Sequence, residues 1–150
     1  MLIIDTNCLP AVFEPGDLKH PNYSPVLNFL TRRRGIVYIG GSKFGRELAR
    51  MTKYLGIIKE LEKIGRVKSY PLNLVDQEEA RVKGLTPTAC DDQHIIALVS
   101  ISGARVVATE DRRSDQFLKD RALYAAGRKP PAIYRSARHF RLLAPLKTAT

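Results

Sequence analysis

Four acidic residues of this chain stand where predicted secondary-structure elements begin or end. Asp5 directly follows the first apolar run of the chain, and Asp111 lies shortly after a later one. Asp92 falls in the first turn of an apolar helical segment, and Glu47 lies at the margin of the apolar stripe of a long predicted helix. In open parallel sheets, ligands bind outside the carboxyl ends of the strands. We therefore expect these four carboxylates to share one site.

Carboxylates that share a site repel one another unless a cation neutralises them. Oxygen-only ligands select Mg²⁺ or Mn²⁺ over zinc, and such an ion can lower the pKa of a water and stabilise charge on a phosphoryl oxygen. The chain also carries 25 Lys and Arg against 15 Asp and Glu, a formal charge of +10 that favours polyanions. The combination predicts metal-dependent hydrolysis of nucleic-acid phosphodiester bonds.

The elements that must position these acids alternate along the chain between strands and helices. The predicted strands are short, aliphatic and not alternating, which is typical of a parallel sheet covered on both faces. We therefore predict a single domain, residues 1–150, with a three-layer α/β sandwich and a mainly parallel central sheet. The patterns place strands at 2–5, 36–41, 66–70, 105–108 and 132–136, and helices at 25–34, 42–64, 76–84, 91–103, 112–124 and 137–143. Within them, Asp76 and Glu79 have the spacing of a capping box.

The composition also predicts where the protein works. Cys8 and Cys90 are the only cysteines, which fits a reducing compartment and gives no disulfide framework, so we interpret both as packing residues. No Cys/His spacing typical of zinc, signal peptide or long apolar segment is visible. We expect a cytoplasmic protein that does not bind membranes.

Four separated stretches carry a resemblance to a known family. They are "LIIDTN" at the start, "GGSKFGREL" around Glu47, "DDQHIIALVSISGARVVATED", and "AIYRSARHFRLL" near the end. In these stretches the chain resembles the PIN-domain ribonucleases, which include the VapC-type toxins. The resemblance implies an endoribonuclease that uses Mg²⁺ or Mn²⁺, with RNA as substrate. It also implies, as partners, a small antitoxin protein and a second copy of the chain in a homodimer.

The resemblance assigns roles to individual residues. Asp5, Glu47 and Asp92 match metal-site and catalytic positions, and Asp111 matches the less regular fourth acid. Asp92 is preferred to its neighbour Asp91 because it stands eleven residues before Gly103, the usual family interval. Glu110 and Asp115 compete with Asp111 for the fourth position, and Thr6 and Asn7 match the polar residues that support Asp5. Apart from the resemblance, four arginines stand beside the acids in the sequence and would either contact RNA phosphates or simply balance the acidic charge: Arg46, Arg50, Arg112 and Arg113.

Three other functions stay open at this point. A PIN-like module that binds RNA without cleaving it would keep the fold and lose metal binding. A housekeeping RNA-processing nuclease would keep the chemistry and need no antitoxin. A phosphotransfer receiver domain would need a pair of acids directly after the first strand, where this chain has only Asp5. We also expect His94, two residues after Asp92, to point away from the acids.

Overall fold

A five-stranded parallel sheet forms the centre of the computed structural model, which describes residues 1–88 and 90–143. Its strands are short and every adjacent pair is parallel, so the predicted three-layer α/β class is confirmed. The order across the sheet is β3-β2-β1-β4-β5. The strands are β1 (Leu2–Ile4), β2 (Val37–Gly40), β3 (Val67–Tyr70), β4 (Val106–Ala108) and β5 (Ala132–Tyr134).

Helices cover both faces of this sheet. None of those in the described ranges is long and apolar enough to cross a membrane. The α-helices are α1 (Leu9–Phe13), α2 (His20–Arg32), α3 (Ser42–Ala49), α4 (Thr52–Lys63), α5 (Leu72–Lys83), α6 (Gln93–Ser102) and α7 (Asp115–Leu118). Short 3₁₀ turns occupy Thr6–Cys8, Arg112–Ser114, Arg121–Leu123 and Ala137–Leu143.

Both faces of the central strands are buried, which explains why the strand sequences are continuously apolar. Leu2 and Ile4 belong to one core cluster, with residues of α1 to α4. Ile3 belongs to the other, with residues of α5 and α6. Alternate residues of a strand point to opposite faces, so each three-residue strand contributes to two hydrophobic cores.

The strand order reverses between β1 and β4, which creates a crevice at that point of the sheet. The chain runs from β1 outward to β2 and β3, and then returns to place β4 on the other side of β1. The register aligns Ile4 with Ala108, so that Asp5 and Thr109 leave the sheet side by side. In open α/β sheets this reversal, at the carboxyl ends of the strands, is where ligands bind.

Two predicted helices are interrupted in the structure. The helix predicted over 42–64 is two helices, because the backbone leaves the helical region at Met51 (φ −113°, ψ 65°). The apolar stripe continues across this break, since both helices pack against the same core cluster. The helix predicted over 112–124 is instead a 3₁₀ turn, the short helix α7 and a second 3₁₀ turn. The apolar periodicity of the sequence alone cannot distinguish one continuous helix from several short helical segments in succession.

The capping box predicted at Asp76 was wrong. Helix α5 begins at Leu72, so Asp76 lies inside it. Its carboxylate instead accepts hydrogen bonds from the backbone N–H of Ser42, at 2.9 Å, and from the Ser42 hydroxyl. Asp76 therefore fixes the start of α3, the helix that carries Glu47. Helix α2 likewise begins earlier than predicted, at His20, with Pro25 inside it.

Gly41, at the start of α3, gives a first testable prediction. Its backbone (φ 89°, ψ 152°) lies in a region that essentially only glycine occupies, and a Cβ there would lie 2.8 Å from Val75 Cγ1. Gly41→Ala should lower the free energy of unfolding by about 2 kcal/mol. Urea unfolding at equilibrium measures it. Gly45→Ala, four residues along the same helix, is the control: no atom lies within 4 Å of the added Cβ, and a gain of about 0.5 kcal/mol is expected. Equal losses in both variants would contradict the argument.

Candidate active site

Asp5 is held in the crevice by both strands that border it. Its backbone N–H donates to the carbonyl of Ala108 at 2.9 Å, and the residue is only 7% exposed. Its Oδ2 accepts hydrogen bonds from Thr109 Oγ1 at 2.9 Å and from Asn7 Nδ2 at 3.3 Å. Burial raises the pKa of Asp5, the Thr109 hydrogen bond opposes that rise, and the Glu47 and Asp111 carboxylates add to it. Asn7 therefore contacts Asp5, the acid that the resemblance predicts it to support.

Asp92 faces the same group of charges from the start of α6. It is 6% exposed, and its Oδ2 is buried without a hydrogen-bond partner among the described residues. Burial, followed by the carboxylates of Asp5 and Asp111, raises the pKa of Asp92 to about 7, although the Lys43 ammonium acts in the opposite direction. An unpartnered buried carboxylate oxygen is rare in proteins and often marks a functional group or an absent ion. The choice of Asp92 over Asp91 agrees with this burial, since Asp91 is exposed.

Glu47 reaches the site from α3. Its side chain is 31% exposed, in agreement with the predicted position at the margin of the buried stripe. Its Oε2 accepts a hydrogen bond from the hydroxyl of Thr6, the residue that follows Asp5. Thr6 therefore links the carboxyl end of β1 to α3. The two predicted supporting residues thus hold different acids, Asn7 holding Asp5 and Thr6 holding Glu47.

His94 was expected to point away from the acids, and that expectation was wrong. Its Nε2 lies 3.9 Å from Glu47 Oε1, and the ring is buried. Burial, followed by the Lys43 ammonium, lowers the pKa of His94 to about 4, so the ring is neutral at pH 7. The prediction failed because the consecutive residues from Gln93 to Ser100 are all buried, so this part of α6 has no solvent face. The histidine is a neutral neighbour of Glu47.

The three acids after β4 have different partners. Glu110 accepts hydrogen bonds from Lys19 Nζ at 3.0 Å and from the Tyr23 hydroxyl, on the α2 side of the crevice. Both interactions occupy its carboxylate. Glu110 is therefore a poor candidate for the fourth acid.

Asp115 is also occupied, whereas Asp111 belongs to the acidic group. Arg135 donates to both carboxylate oxygens of Asp115, at 2.8 and 2.7 Å. The exposed side chain of Arg113 likewise donates to both oxygens of Asp111, at 3.1 and 3.3 Å, and these bonds lower the pKa of Asp111. Its charge raises the pKa values of Asp5 and Asp92. Of the three candidates, Asp111 is the one whose charge acts on both.

Lys43 is a site residue that the sequence did not predict. Its Nζ donates to the backbone carbonyl of Asp91 at 2.7 Å, and its charge lowers the pKa values of Asp92 and His94. Lys43 precedes Glu47 by four residues, one turn of α3, so the two side chains share a helix face. This four-residue spacing is the sequence signal from which Lys43 could have been predicted as a neighbour of the acids.

The four arginines predicted to bind RNA are exposed. Arg113 pairs with Asp111, whereas Arg46, Arg50 and Arg112 form no ion pair within residues 1–88 and 90–143. Arg112 is adjacent to Asp111 in the chain and lies at the carboxyl end of the sheet. Of the two arginines that follow Asp111, it is the one without an ion pair in the described part of the chain.

The two cysteines contribute to packing near the site. Cys8 belongs to the core cluster of β1, and burial raises the pKa of its thiol to about 12. Burial also raises the pKa of Cys90. Both thiols are therefore protonated at neutral pH, and neither has the lowered pKa typical of a reactive cysteine.

The donor set suits a hard divalent cation, although the side chains do not yet converge on one point. Among the described residues, no group of three or more His, Cys, Asp or Glu side chains is arranged to hold a metal ion. The chemistry of the four acids is nevertheless the oxygen-rich set that Mg²⁺ and Mn²⁺ prefer. Asp92 also has a carboxylate oxygen without a partner in the described part of the chain. Side-chain rotation around an ion would be needed to bring the acids together.

Comparisons with models of protein families, with curated proteins and with solved structures found no match. They do not assign the chain to a family. The resemblance to PIN-domain ribonucleases therefore stays a prediction, carried by the four sequence stretches that suggested it.

Asp92 gives a prediction about pH that needs no substrate. Between pH 3.8 and about 7 the folded protein holds a proton on Asp92 that the unfolded chain has released, so the raised pKa makes stability fall as the pH rises. Asp92→Asn removes this loss. Thermal unfolding with EDTA should show similar melting temperatures near pH 4, and a variant more stable by on the order of 5 °C at pH 8. Asp91→Asn, at the exposed neighbour, should follow the wild type throughout. A constant difference between Asp92→Asn and wild type would contradict the burial of this charge.

Proposed function

We propose that the protein is a divalent-metal-dependent endoribonuclease of PIN type. The observation that carries this proposal is the pair of buried carboxylates, Asp5 and Asp92, at the reversal point of the sheet. Burial disfavours the charge of each, the charge of Asp5 further raises the pKa of Asp92, and Glu47 and Asp111 add two further carboxylates. A protein with a formal charge of +10 that concentrates negative charge in one crevice has a place for a cation beside a surface for a polyanion.

The residues proposed to hold the metal are Asp5, Glu47, Asp92 and Asp111. A divalent cation bound there would neutralise the carboxylates, lower the pKa of a water and stabilise charge on a phosphoryl oxygen. The unpartnered Oδ2 of Asp92 supports this assignment, because an oxygen without a donor is one that an ion can satisfy.

The chain's other residues hold these carboxylates in position. Thr109 and Asn7 donate to one oxygen of Asp5, and Thr6 donates to one oxygen of Glu47. Each donor occupies part of a carboxylate and restricts its rotation. The neutral ring of His94 lies beside Glu47, with its Nε2 3.9 Å from Oε1, and adds no charge there. These residues therefore have positioning roles.

The substrate class rests on charge and on the resemblance. Exposed arginines next to the acids would contact the phosphates of a bound strand, and Arg112 is the first of them. The resemblance favours RNA, so cleavage assays should compare single-stranded RNA with DNA of the same sequence. Cleavage of DNA alone would exclude this substrate class.

A second candidate function is an RNA-binding module that does not cleave. The observation in its favour is that no three potential ligands converge within the described residues. Such a module would bind RNA and gain no stability from Mn²⁺. Metal-dependent melting therefore separates the two functions.

The acids give the central prediction. Asp5→Asn, Glu47→Gln and Asp92→Asn should each lower RNA cleavage by more than about 100-fold, since loss of even an outer partner of a metal site costs about 10–100-fold. Mn²⁺ should raise the melting temperature of the wild type and have little effect on these variants. Asp91→Asn and Glu60→Gln change exposed acids and serve as matched controls that keep both properties. Equal metal-induced shifts in all six proteins would refute the site.

Arg112 and Arg113 should differ, because only Arg113 has an acidic partner in the described structure. With cleavage blocked by Asp92→Asn, the affinity for single-stranded RNA should fall with salt, and each lost phosphate contact should reduce the slope by about 0.7. We expect this reduction for Arg112→Ala. In the same background, Arg113→Ala should change the slope less. In the otherwise wild-type chain, Arg113→Ala should tighten Mn²⁺ binding, measured by thermal melting over a Mn²⁺ series, because it releases Asp111. Fluorescence anisotropy over a salt series measures the slopes, and identical behaviour of the two variants would contradict the assignment.

A further inference from the structure

A cavity of about 520 Å³ lies beyond the carboxyl ends of β4 and β5. Its volume is within the range of small-molecule sites, and is larger than a single phosphate needs. Five cationic side chains and two carboxylates line it, together with His139. The cations are Lys19, Arg112, Lys119, Arg135 and Arg138, and the acids are Glu110 and Asp115.

The two carboxylates are already satisfied and hold part of the wall in place. The Asp115 carboxylate accepts hydrogen bonds from both terminal nitrogens of Arg135. The Nε of Arg135 donates to the carbonyl of Thr109 at 2.9 Å. The Arg135 guanidinium is therefore a fixed structural group, with its side chain only 14% exposed. Glu110 likewise accepts hydrogen bonds from the Lys19 ammonium and the Tyr23 hydroxyl.

Three cations of the cavity have no such acidic partner. Arg112, Lys119 and Arg138 are exposed, and none forms an ion pair with another side chain that the structure describes. His139 accepts hydrogen bonds at Nδ1 from the backbone N–H groups of Arg135 and Ser136, at 3.0 and 3.3 Å. In the neutral ring this leaves Nε2 as an N–H donor. The cavity thus combines uncompensated positive charge with hydrogen-bond donors, which is the chemistry that recognises phosphate.

The cavity also adjoins the candidate active site along the chain after β4. Thr109 connects the two, because its hydroxyl donates to Asp5 and its carbonyl accepts from Arg135. Asp111 stands between Glu110 and Arg112, both of which line the cavity. The residues on either side of Asp111 therefore line the cavity, which lies next to the acids in the chain.

We propose that this cavity binds the phosphate of a nucleotide next to the bond that is cleaved. The inference deepens the proposed function and rests on it for the position of the strand. Two sources of that phosphate share the same chemistry: an internal phosphodiester of RNA, and a terminal phosphate as in a nucleoside monophosphate. The negative charge of the acids repels an RNA backbone, and the cavity supplies attraction beside it.

A second basic cavity provides the matched control. It has a volume of about 480 Å³ and lies at the opposite, amino ends of β4 and β5. Arg105 and Lys129 line it, and both are exposed. Its third cation, Arg128, donates to the carbonyl of Ser100 at 2.9 Å and so completes the end of α6. Arg105→Ala/Lys129→Ala therefore removes the same charge as Lys119→Ala/Arg138→Ala, far from the acids.

The test compares these two double variants in the Asp92→Asn background, by anisotropy with a labelled single-stranded 12-mer RNA over a salt series. Lys119→Ala/Arg138→Ala should lower the affinity by about tenfold near 0.1 M salt and reduce the salt slope by about 1.4, the value for two lost contacts. Arg105→Ala/Lys129→Ala should change the affinity by less than about twofold. Thermal melting checks folding, and Lys119→Gln/Arg138→Gln replaces the alanine pair if that pair unfolds. Equal losses in the two double variants would overturn the proposal.

Two further arms identify the source of the phosphate. If the cavity takes an internal phosphodiester, 12-mers with and without a 5′-phosphate should lose the same affinity in Lys119→Ala/Arg138→Ala. If it takes a terminal phosphate, only the phosphorylated 12-mer should lose affinity. In that case adenosine 5′-monophosphate should bind the wild type and not this variant in a calorimetric titration. An unchanged affinity of all three ligands would also overturn the proposal.

The failure of the cavity and the failure of the nuclease proposal give different results. Metal-dependent cleavage by the wild type, with equal losses of RNA affinity in the two double variants, would support the nuclease proposal and refute the cavity proposal. Phosphate-specific binding that depends on Lys119 and Arg138, without cleavage in the presence of any metal ion tested, would support phosphate binding in the cavity and refute the nuclease proposal.

Discussion

The repulsion between two buried carboxylates, Asp5 and Asp92, is the constraint on which the rest of the site depends. Each charge lies in a crevice where burial already disfavours ionisation, and the charge of Asp5 further raises the pKa of Asp92. A protein keeps such an arrangement only where the surrounding fold is stable enough to tolerate it. The fully buried strands β1 and β4 provide that support, since their residues fill the cores on both faces of the sheet. The neighbouring donors then hold one oxygen of Asp5, while one oxygen of Asp92 is left without a partner in the described residues.

The parallel topology determines which residues meet in that crevice. Since β1 pairs with β4 in the register Ile4 to Ala108, the next residues, Asp5 and Thr109, are neighbours. Their hydrogen bond follows directly from this register. The helix that carries Glu47 is fixed from the other side, because Asp76 holds its first residue, Ser42. The site therefore depends on two long-range connections, one within the sheet and one between helices.

The sequence was sufficient for the parts of the structure that depend on local pattern. Continuous apolar strands predicted the parallel sheet, and acids at element ends predicted where Asp5 and Asp92 would lie. Asp76 and His94 show what a local pattern cannot supply. Asp76 has the spacing of a capping box for its own helix, yet it caps another helix that is 34 positions away in the chain. His94 lies in a helix buried on all sides, so its rotation about the axis could not be inferred from an apolar face.

Thr109 links the acidic crevice to the basic cavity, and its two hydrogen bonds explain why opposite charges can lie so close without collapsing onto one another. Its hydroxyl donates a hydrogen bond to Asp5, and its carbonyl accepts one from Arg135. The carboxylate of Asp115 pairs with the Arg135 guanidinium and neutralises its charge. Arg135 is thereby prevented from pairing with the acids of the crevice. Without this partner, the Arg135 guanidinium would carry an uncompensated positive charge next to Thr109, at the border of the crevice. The fixed pair keeps the crevice negative and leaves the outer wall positive, and this separation of charge is what a strand of phosphates held beside a divalent ion requires.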